Sequence, residues 1–217
     1  MVAAGALEFP SAVKLARERG RLMKEAGELA SGGMVAVLGL EEEKLEAICR
    51  EVSANFGRVQ IANYNSPGQL VISGEKRALE RAMELAKARG ARRVIALAVS
   101  IAGHSLIMEP AAREFAAIVG REAFRPARIP LVANTSARPI RAPAALKEEL
   151  AAGLTSPVRW VQSIRHMVEL GVGTTIELGP KDVLTGLIRR IDPTVEAWTV
   201  DEGMELEGFP APRKGKA

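Results

Sequence analysis

The chain has 217 residues, of which 47% are hydrophobic and 26% are charged, values that are ordinary for a soluble globular protein. Three of its net +4 charges (Arg213, Lys214 and Lys216) lie in the last eight residues, which gives little support to a nucleic-acid-binding protein with a concentrated basic face. The longest nearly unbroken apolar run, Val94 to Gly103, is far shorter than the roughly 20 residues of a helical membrane span.

The N-terminus shows no basic segment followed by an apolar one, so no secretion signal is predicted. The single cysteine, Cys49, excludes an internal disulfide, and a reducing cytoplasm is the simplest location. No cluster of histidine, cysteine and acidic residues has the spacing of a metal site, and no glycine-rich phosphate loop is present. The length allows one or two domains.

The first predicted element is a helix from about Pro10 to Ala26, because proline suits a first helical turn and Gly27 suits an end. Residues 34–99 then show strands at 34–38, 58–62, 69–73 and 92–99, with a helix in each of the first and third intervals. Apolar residues recur at helical spacing in both helices, at Leu45, Ile48, Cys49 and Val52 and again at Leu79, Ala82, Met83 and Ala86. The order βαββαβ predicts a ferredoxin-like unit with both helices on one face of its sheet and Cys49 in its core.

After residue 99 the pattern predicts a helix at about 108–119, a short strand at 130–133 and a loop at 134–143. Helices at about 144–152 and 158–170 follow, then a strand at 174–178, a helix and a last strand at 195–200. Residues 1–33 and 100–200 therefore form an α/β large domain interrupted by the small domain 34–99. This large domain has few strands and opens with a helix, so we expect it to be incomplete. The polar, Pro/Gly-rich residues 201–217 are predicted to be disordered.

His104 lies between a predicted strand and a predicted helix, where α/β proteins hold their ligands. It is either a general base or a histidine bonded to nearby backbone. Gly103-His104-Ser105 also imitates the start of a nucleophile elbow, but Ile107 stands where that motif needs a second glycine. Ser105 is therefore expected to cap or bond locally at the start of the next helix. His166, alone on a helix, is expected to be structural.

Two further polar stretches are candidates for function. Gly20 inside a helix costs about 1 kcal/mol relative to alanine, which predicts close packing there and a partly buried Arg19 that seeks a carboxylate. The stretch Asn63–Gln69 contains Pro67-Gly68, which fits a type II turn. Its amide side chains have an alternative interpretation, a polar wall that faces a cleft between domains.

Taken together, these motifs resemble the malonyl-CoA:acyl carrier protein transacylases, the acyltransferases that load extender units for fatty-acid synthesis. The order and spacing of the motifs match over nearly the whole chain. The matching residues are Val2-Ala3-Ala4-Gly5, Arg19-Gly20 with Met23, Asn63 to Gln69, Val71-Ile72-Ser73-Gly74, Val99-Ser100 with His104 and Met108, Ser156-Pro157-Val158-Arg159-Trp160, and Glu177-Leu178-Gly179-Pro180 to Leu184-Thr185-Gly186-Leu187.

The resemblance implies an α/β-hydrolase-like acyltransferase large domain with the ferredoxin-like small domain inserted in it. It implies that His104 is the general base for a nucleophilic serine and that a backbone carbonyl, at Gly153 here, orients it. Arg19 would bind the free carboxylate of the malonyl group through a bidentate contact, which selects malonyl over neutral acyl groups. Further substrate contacts in the cleft between the domains are expected from Asn63, Asn65 and Gln69. The expected partners are malonyl-CoA and acyl carrier protein, with no cofactor.

The chain departs from the family pattern at three places. Lys181 stands where the family prefers glycine after Gly-Pro, and Gly103 replaces a residue that is often aromatic. The third departure is that the family's front portion, with a loop that helps form the oxyanion hole and the Gly-His-Ser-x-Gly elbow, has no counterpart. We therefore expect a base and a carboxylate clamp without the nucleophile, and a chain that is inactive alone and self-associates or is partly molten.

Two alternatives remain beside a transacylase. The chain is a non-enzymatic remnant, or one half of a split acyltransferase that binds a partner chain. RNA binding by the ferredoxin-like unit is disfavoured, because the strands at 58–62 and 69–73 lack the aromatic residues on which bases stack.

Overall fold

Residues 1–200 are described by a computed structural model, and the predicted disorder of 201–217 lies outside the described residues. Helices and strands alternate through most of this range. The helices are α1 (Phe9–Leu29), α2 (Glu42–Ser53), α3 (Lys76–Ala88), α4 (Glu109–Arg121), α5 (Pro143–Ala152), α6 (Trp160–Glu169) and α7 (Val183–Ile191), and a 3-10 turn spans Leu106–Met108. The strands are β1 (Gly32–Leu38), β2 (Val59–Ser66), β3 (Gln69–Glu75), β4 (Arg93–Ala96), β5 (Leu131–Val132), β6 (Pro139–Ile140), β7 (Thr174–Leu178) and β8 (Glu196–Val200).

The strands β1 to β4 form one antiparallel sheet in the order β2-β3-β1-β4. The two helices between them, α2 and α3, contact each other and share one apolar core with the inward-facing residues of β1, β2 and β3. The βαββαβ order and the placement of both helices on one face are therefore confirmed. Cys49 is in this core, where burial raises the pKa of its thiol to about 12.

The edge strand β2 is four residues longer at its end than the sequence pattern predicts, and this extension connects the sheet to the rest of the chain. Its register is irregular around Asn63, where the backbone pairs with Val158. The N–H of Tyr64 donates to the carbonyl of Val158 at 2.9 Å, and the N–H of Val158 donates to the carbonyl of Ala62 at 2.8 Å. The segment after α5 is thereby fixed against the small sheet.

A second core lies between α1, α4 and the turns that follow β4 and α5. Phe115 and Met108 are almost fully buried in it, together with Leu154. The helix α1 does not end near Ala26 as predicted, because Gly27 serves for close packing and not as a helix end. A Cβ atom at Gly27 would lie 3.2 Å from Cγ1 of Ile101 and 3.4 Å from the carbonyl oxygen of Ser100. The glycine thus allows α1 to approach the chain that leads to His104.

The remaining strands form two small pairs. The strands β5 and β6 are an antiparallel pair of two residues each, although the sequence pattern predicts a loop at Pro139–Ile140. The strands β7 and β8 are parallel and are joined through α7. Apolar side chains remain exposed here, with Leu178 at 77% and Val183 at 60%. Within the described range, no helix has both the length and the apolar character needed to cross a bilayer.

Candidate active site

A cavity of about 240 Å³ lies where α1, the turn before α4 and the end of α5 meet. It brings together three of the sequence-predicted site residues, Arg19, His104 and Gly153. The other lining residues are Met1, Leu131, Val132, Asn134, Thr135, Glu149, Leu150, Ser156, Pro157 and Val158. No group of three or more potential metal-ligating side chains occurs in residues 1–200, here or elsewhere.

His104 is partly buried and has a backbone φ of 58°, in the left-handed region that non-glycine residues rarely adopt. Its ring Nδ1 lies 3.2 Å from the carbonyl oxygen of Ser156. A carbonyl oxygen can only accept, so Nδ1 carries the hydrogen and Nε2 keeps the lone pair. The ring is therefore oriented with its basic nitrogen available to a substrate or a nucleophile.

Burial is the main cause that lowers the pKa of His104 below its ordinary value, and the charge of Arg19 lowers it further. The backbone carbonyl groups of Ser156 and Gly153 oppose this effect and raise the pKa. The net direction is downward, so the ring is neutral at neutral pH and able to accept a proton.

The ring hydrogen bond goes to Ser156, three residues after the expected partner Gly153. Only the Ser156 carbonyl meets hydrogen-bond geometry with the ring, so we assign the orienting role to it, although the Gly153 carbonyl acts on the pKa in the same direction. After α5 the chain turns tightly, since the N–H groups of Thr155 and Ser156 both donate to the carbonyl of Ala152. This turn brings Ser156 to the ring, and sequence spacing does not reveal it.

Arg19 is the second polar group of the cavity. It is half-buried, and desolvation lowers the pKa of its guanidinium. Its neighbours on α1 behave differently, since Arg17 and Arg21 form ion pairs with nearby glutamates. No carboxylate of residues 1–200 lies within 4.0 Å of a nitrogen of Arg19, so its positive charge remains available to a ligand.

The expectation of close packing at Gly20 is wrong. The glycine faces solvent, and a Cβ atom added there would meet no atom within 4 Å. On the solvent side of a helix, glycine carries only its conformational cost and indicates nothing about a partner. Arg19 is buried because it faces the cavity, and its glycine neighbour has no part in that burial.

The predicted residues of the 63–69 stretch lie apart from this cavity. Asn63 is next to its wall through the backbone pairing with Val158, but Asn63, Asn65 and Gln69 do not line it. The side-chain oxygen of Gln69 accepts a hydrogen bond from Nη1 of Arg190 at 2.9 Å. The turn interpretation fits Gly68, whose φ of 70° suits the third position of a type II turn.

Gln60 contacts the site, although the sequence pattern does not single it out. It is on β2, and its Nε2 donates to the carbonyl of His104 at 3.1 Å and to that of Thr155 at 3.3 Å. Its Oε1 accepts from the N–H of Leu106 at 3.3 Å. A polar residue between two apolar ones on a strand usually faces solvent, so no sequence signal identifies this role.

Ser105 is not placed to act as a nucleophile. Its side chain is 2% exposed, and its hydroxyl donates to the carbonyl of Ala102 at 2.6 Å. This agrees with the expected local bond, although the hydroxyl does not cap the following turn. In the described part of the chain, no serine hydroxyl is hydrogen-bonded to the His104 ring.

A separate cavity of about 360 Å³ covers one side of α6 and includes neither Arg19 nor His104. Three arginines and His166 line it, and the only acidic residue among its lining is Glu169. The Nδ1 atom of His166 lies 3.3 Å from Nη1 of Arg138 and 3.2 Å from Oε2 of Glu169. Because Arg19 and His104, on which the resemblance to the transacylases depends, line the other cavity, we do not assign the chemistry to this one.

Comparison with known protein families gives a match to the acyl transferase domain over residues 1–199. The chain belongs to this family. Among its relatives, the malonyl CoA-acyl carrier protein transacylase of Bacillus subtilis is 40% identical over 207 residues. That alignment covers 95% of this chain and 65% of the relative, so the chain spans about two thirds of the relative's length.

Solved structures of acyl transferases show the same fold. The acyl carrier protein S-malonyltransferase of Vibrio cholerae aligns with a TM-score of 0.88 at 40% identity, covering 92% of this chain and 65% of that one. The structure of a type II PKS acyl-carrier protein in complex with its malonyl-transacylase aligns with a TM-score of 0.86 at 38% identity. That alignment covers 93% of this chain and 64% of the other. The resemblance to malonyl-CoA:acyl carrier protein transacylases, inferred from the ordered motifs, is therefore confirmed.

The structure shows why the family prefers glycine at position 181, one of the places where this chain departs from the family pattern. Lys181, where the family prefers glycine, has a φ of 73°, which glycine adopts without a steric penalty. Gly153 has an ordinary helical φ of −62°, so no backbone conformation requires glycine there. A Cβ atom at Gly153 would lie 3.1 Å from the carbonyl oxygen of Glu149, a tight contact that needs a small shift.

Proposed function

We propose that this chain contributes the general base and the carboxylate-binding arginine of a malonyl-CoA:acyl carrier protein transacylase, which transfers malonyl from coenzyme A to acyl carrier protein. One observation carries the proposal. A neutral His104 shares one cavity with Arg19, which is half-buried and has no carboxylate partner in residues 1–200. A guanidinium that is already desolvated and has no internal carboxylate favours an acyl group that brings its own carboxylate.

The reaction is a two-step exchange through an acyl-serine. In the first step, Nε2 of His104 takes the hydroxyl proton of a serine while the oxygen attacks the thioester carbon. The carbon–sulfur bond breaks, and the leaving thiolate of coenzyme A receives that proton from His104. In the second step, the phosphopantetheine thiol of acyl carrier protein gives its proton to His104 and attacks the ester, and the serine oxygen regains the proton. No cofactor takes part.

Arg19 acts in both steps by holding the malonyl carboxylate. The carbonyl of Ser156 holds the ring, and it also stabilises the imidazolium that forms during each proton transfer. Contacts from Asn63, Asn65 and Gln69 to the rest of the substrate belong to this proposal. The partnership with acyl carrier protein is supported by the relative whose structure is a complex of a type II PKS acyl-carrier protein with its malonyl-transacylase.

We further propose that the nucleophilic serine comes from polypeptide outside this chain's described residues. Ser105 is buried and bonded elsewhere, and His104 bonds no serine hydroxyl in residues 1–200. Loss of a triad nucleophile reduces the rate by about 10⁶. The chain alone would therefore bind ligand without transferring it, and the exposed apolar side chains near β7 are a surface on which further strands would pack.

We also interpret the architecture more finely than the family match does. The strand order β2-β3-β1-β4, with two helices on one face, supports a ferredoxin-like small domain at 34–99. The parallel pair β7–β8 with α7 between its strands supports an α/β-hydrolase-like large domain at 1–33 and 100–200.

The test is transfer of radiolabelled malonyl from coenzyme A to acyl carrier protein by three samples. These are the chain alone, the chain with the front third of the Bacillus subtilis relative, and the same mixture with His104→Ala. We expect transfer only in the second sample. Transfer by the chain alone refutes an external nucleophile, and transfer that survives His104→Ala refutes the base. Binding of the front third without transfer in any sample favours a half of a split protein or a remnant.

A further inference from the structure

One amide side chain of the small sheet bonds both loops that form the histidine site. Gln60 donates from Nε2 to the carbonyl of His104 and to the carbonyl of Thr155, and it accepts at Oε1 from the N–H of Leu106. The two loops lie 44 and 95 residues away from Gln60 in the chain. An amide that makes three hydrogen bonds to separate backbone segments has little freedom to rotate.

The first loop needs such support because of the backbone at His104. Its φ of 58° places a non-glycine residue in a sparsely populated region that persists only when the surroundings hold it there. Gln60 bonds the carbonyl of His104 and the N–H of Leu106, on either side of Ser105. These two bonds hold the loop from both sides and keep the His104 ring turned into the cavity.

The second loop carries the acceptor of the ring hydrogen bond. Gln60 bonds the carbonyl of Thr155, and the next carbonyl, that of Ser156, accepts from Nδ1 of His104. The same amide therefore fixes the residue that presents the ring and the neighbour of the residue that orients it.

We infer that Gln60 is a positioning residue for His104: its amide holds the two loops so that the ring keeps its hydrogen on Nδ1 and its basic Nε2 towards the cavity. The catalytic meaning of this role rests on the proposed function, in which His104 is the base. The geometric role does not depend on it, and the two can be tested apart.

The test replaces Gln60 by methionine, which has a similar length but no hydrogen-bonding amide. A second variant, Gln60→Asn, keeps the amide but shortens its reach by one methylene group. The matched control is Gln162→Met, on α6, whose amide lines the other cavity and bonds neither loop. The folded chain is labelled with ¹⁵N, and the ring nitrogens of His104 are followed by NMR through a pH titration, beside urea unfolding of each protein.

We expect both Gln60 variants to fold but to lose the dominant Nδ1–H form of the His104 ring. We also expect the titration midpoint of the ring to shift upward, because a freed ring loses burial, the main cause that lowers its pKa, and this exceeds the loss of the carbonyl contacts that raise it. The control should keep the parental ring form and midpoint. Misplacement of a base by about 1 Å can reduce turnover about 10²-fold, so the same loss is expected in any sample that transfers malonyl.

An unchanged ring form and midpoint in either folded Gln60 variant would overturn the inference, whatever its effect on stability. Failure of both variants to fold, with the control folded, would also overturn it, since Gln60 would then serve the fold as a whole. The proposed function fails by a different result, survival of transfer in His104→Ala, so the two failures are distinguishable.

Discussion

Replacing Arg19 by methionine tests the assignment of the carboxylate-binding group most directly. Methionine keeps an unbranched apolar stem that packs like the first part of the arginine side chain, but it is shorter and removes the charged guanidinium. In the parent protein the guanidinium is half-buried and has no carboxylate partner in residues 1–200, so a bound carboxylate displaces no internal ion pair. We therefore expect nearly the whole strength of the charge-assisted contact to appear in binding.

A hydrogen bond to a charged group contributes about 1.5–3 kcal/mol, which corresponds to roughly 10- to 150-fold in affinity. Malonyl-CoA should bind to the Arg19→Met chain more weakly by that factor, whereas acetyl-CoA, which has no free carboxylate, should bind as before. Isothermal titration calorimetry of both thioesters gives the two ratios. The control is Arg17→Met on the exposed side of α1, where the side chain is 78% exposed and pairs with Glu18.

The same substitution should alter His104. The positive charge of Arg19 adds to the effect of burial in lowering the pKa of the ring, so its removal raises that pKa. Because the pKa of His104 is below the ordinary histidine value of 6.5, the parent ring stays neutral as the pH falls past 6.5. The ring of the variant should become protonated at a higher pH than the ring of the parent. An equal loss of affinity for malonyl-CoA and acetyl-CoA, with no change in the His104 titration, would refute the reasoning.

Two further predictions concern stability near the C-terminal strands. Lys181→Gly should stabilise the chain by about 0.5–1 kcal/mol, because lysine at a left-handed φ of 73° is strained by about 1–2 kcal/mol and glycine is not. This gain exceeds the cost of the greater conformational freedom that glycine gives the unfolded chain. A urea unfolding midpoint of the variant that is equal to or lower than that of the parent would contradict the prediction. Glu177→Gln should destabilise the start of α7 by about 1 kcal/mol at pH 7, as loss of a helix cap does, because the N–H groups of Leu184 and Thr185 donate to the Glu177 carboxylate. Desolvation raises the pKa of Glu177, but these hydrogen bonds lower it below its ordinary value of 4.5 overall. The stabilisation is therefore present above pH 4.5 and is lost as the pH falls below it. A difference in unfolding free energy between variant and parent that persists at about pH 3 in urea would argue against the cap.

Elements with strong apolar periodicity were predictable from the sequence. The four apolar positions that identified α2 are all buried, from Leu45 at 0% to Cys49 at 6%. Short pairings were not predictable in the same way. The strand β6 is two residues long and begins with Pro139, so its pairing depends on the position of β5 and not on its own sequence. The predicted strand 92–99 ends at Ala96, one residue before a last backbone hydrogen bond from Leu97 to Met34 of β1, and its apolar side chains are exposed both before and after this end.

The residues of the candidate site also differ in how far the sequence could identify them. Arg19 and His104 were identified through an ordered set of motifs, and the structure brings both to one cavity. The acceptor of the ring hydrogen bond was not identified, because a backbone carbonyl has no sequence signature and a tight turn decides which one faces the ring. Gln60 was missed because its partners are also backbone atoms, which any sequence would supply at those positions.

The close contact at Gly27 sets the distance between α1 and the segment that leads to His104, and therefore the spacing between Arg19 and His104. Gly27 is eight residues beyond Arg19 on α1, about 12 Å along the helix axis, and it touches the chain three residues before His104. A Cβ atom at position 27 would lie 3.2 Å from Cγ1 of Ile101, so a large side chain there would push α1 and this segment apart. The cation and the base would then move relative to each other without a change in either of them. A variant that is found in a screen at this glycine would therefore look like an active-site variant in its pH behaviour while no functional group had been altered.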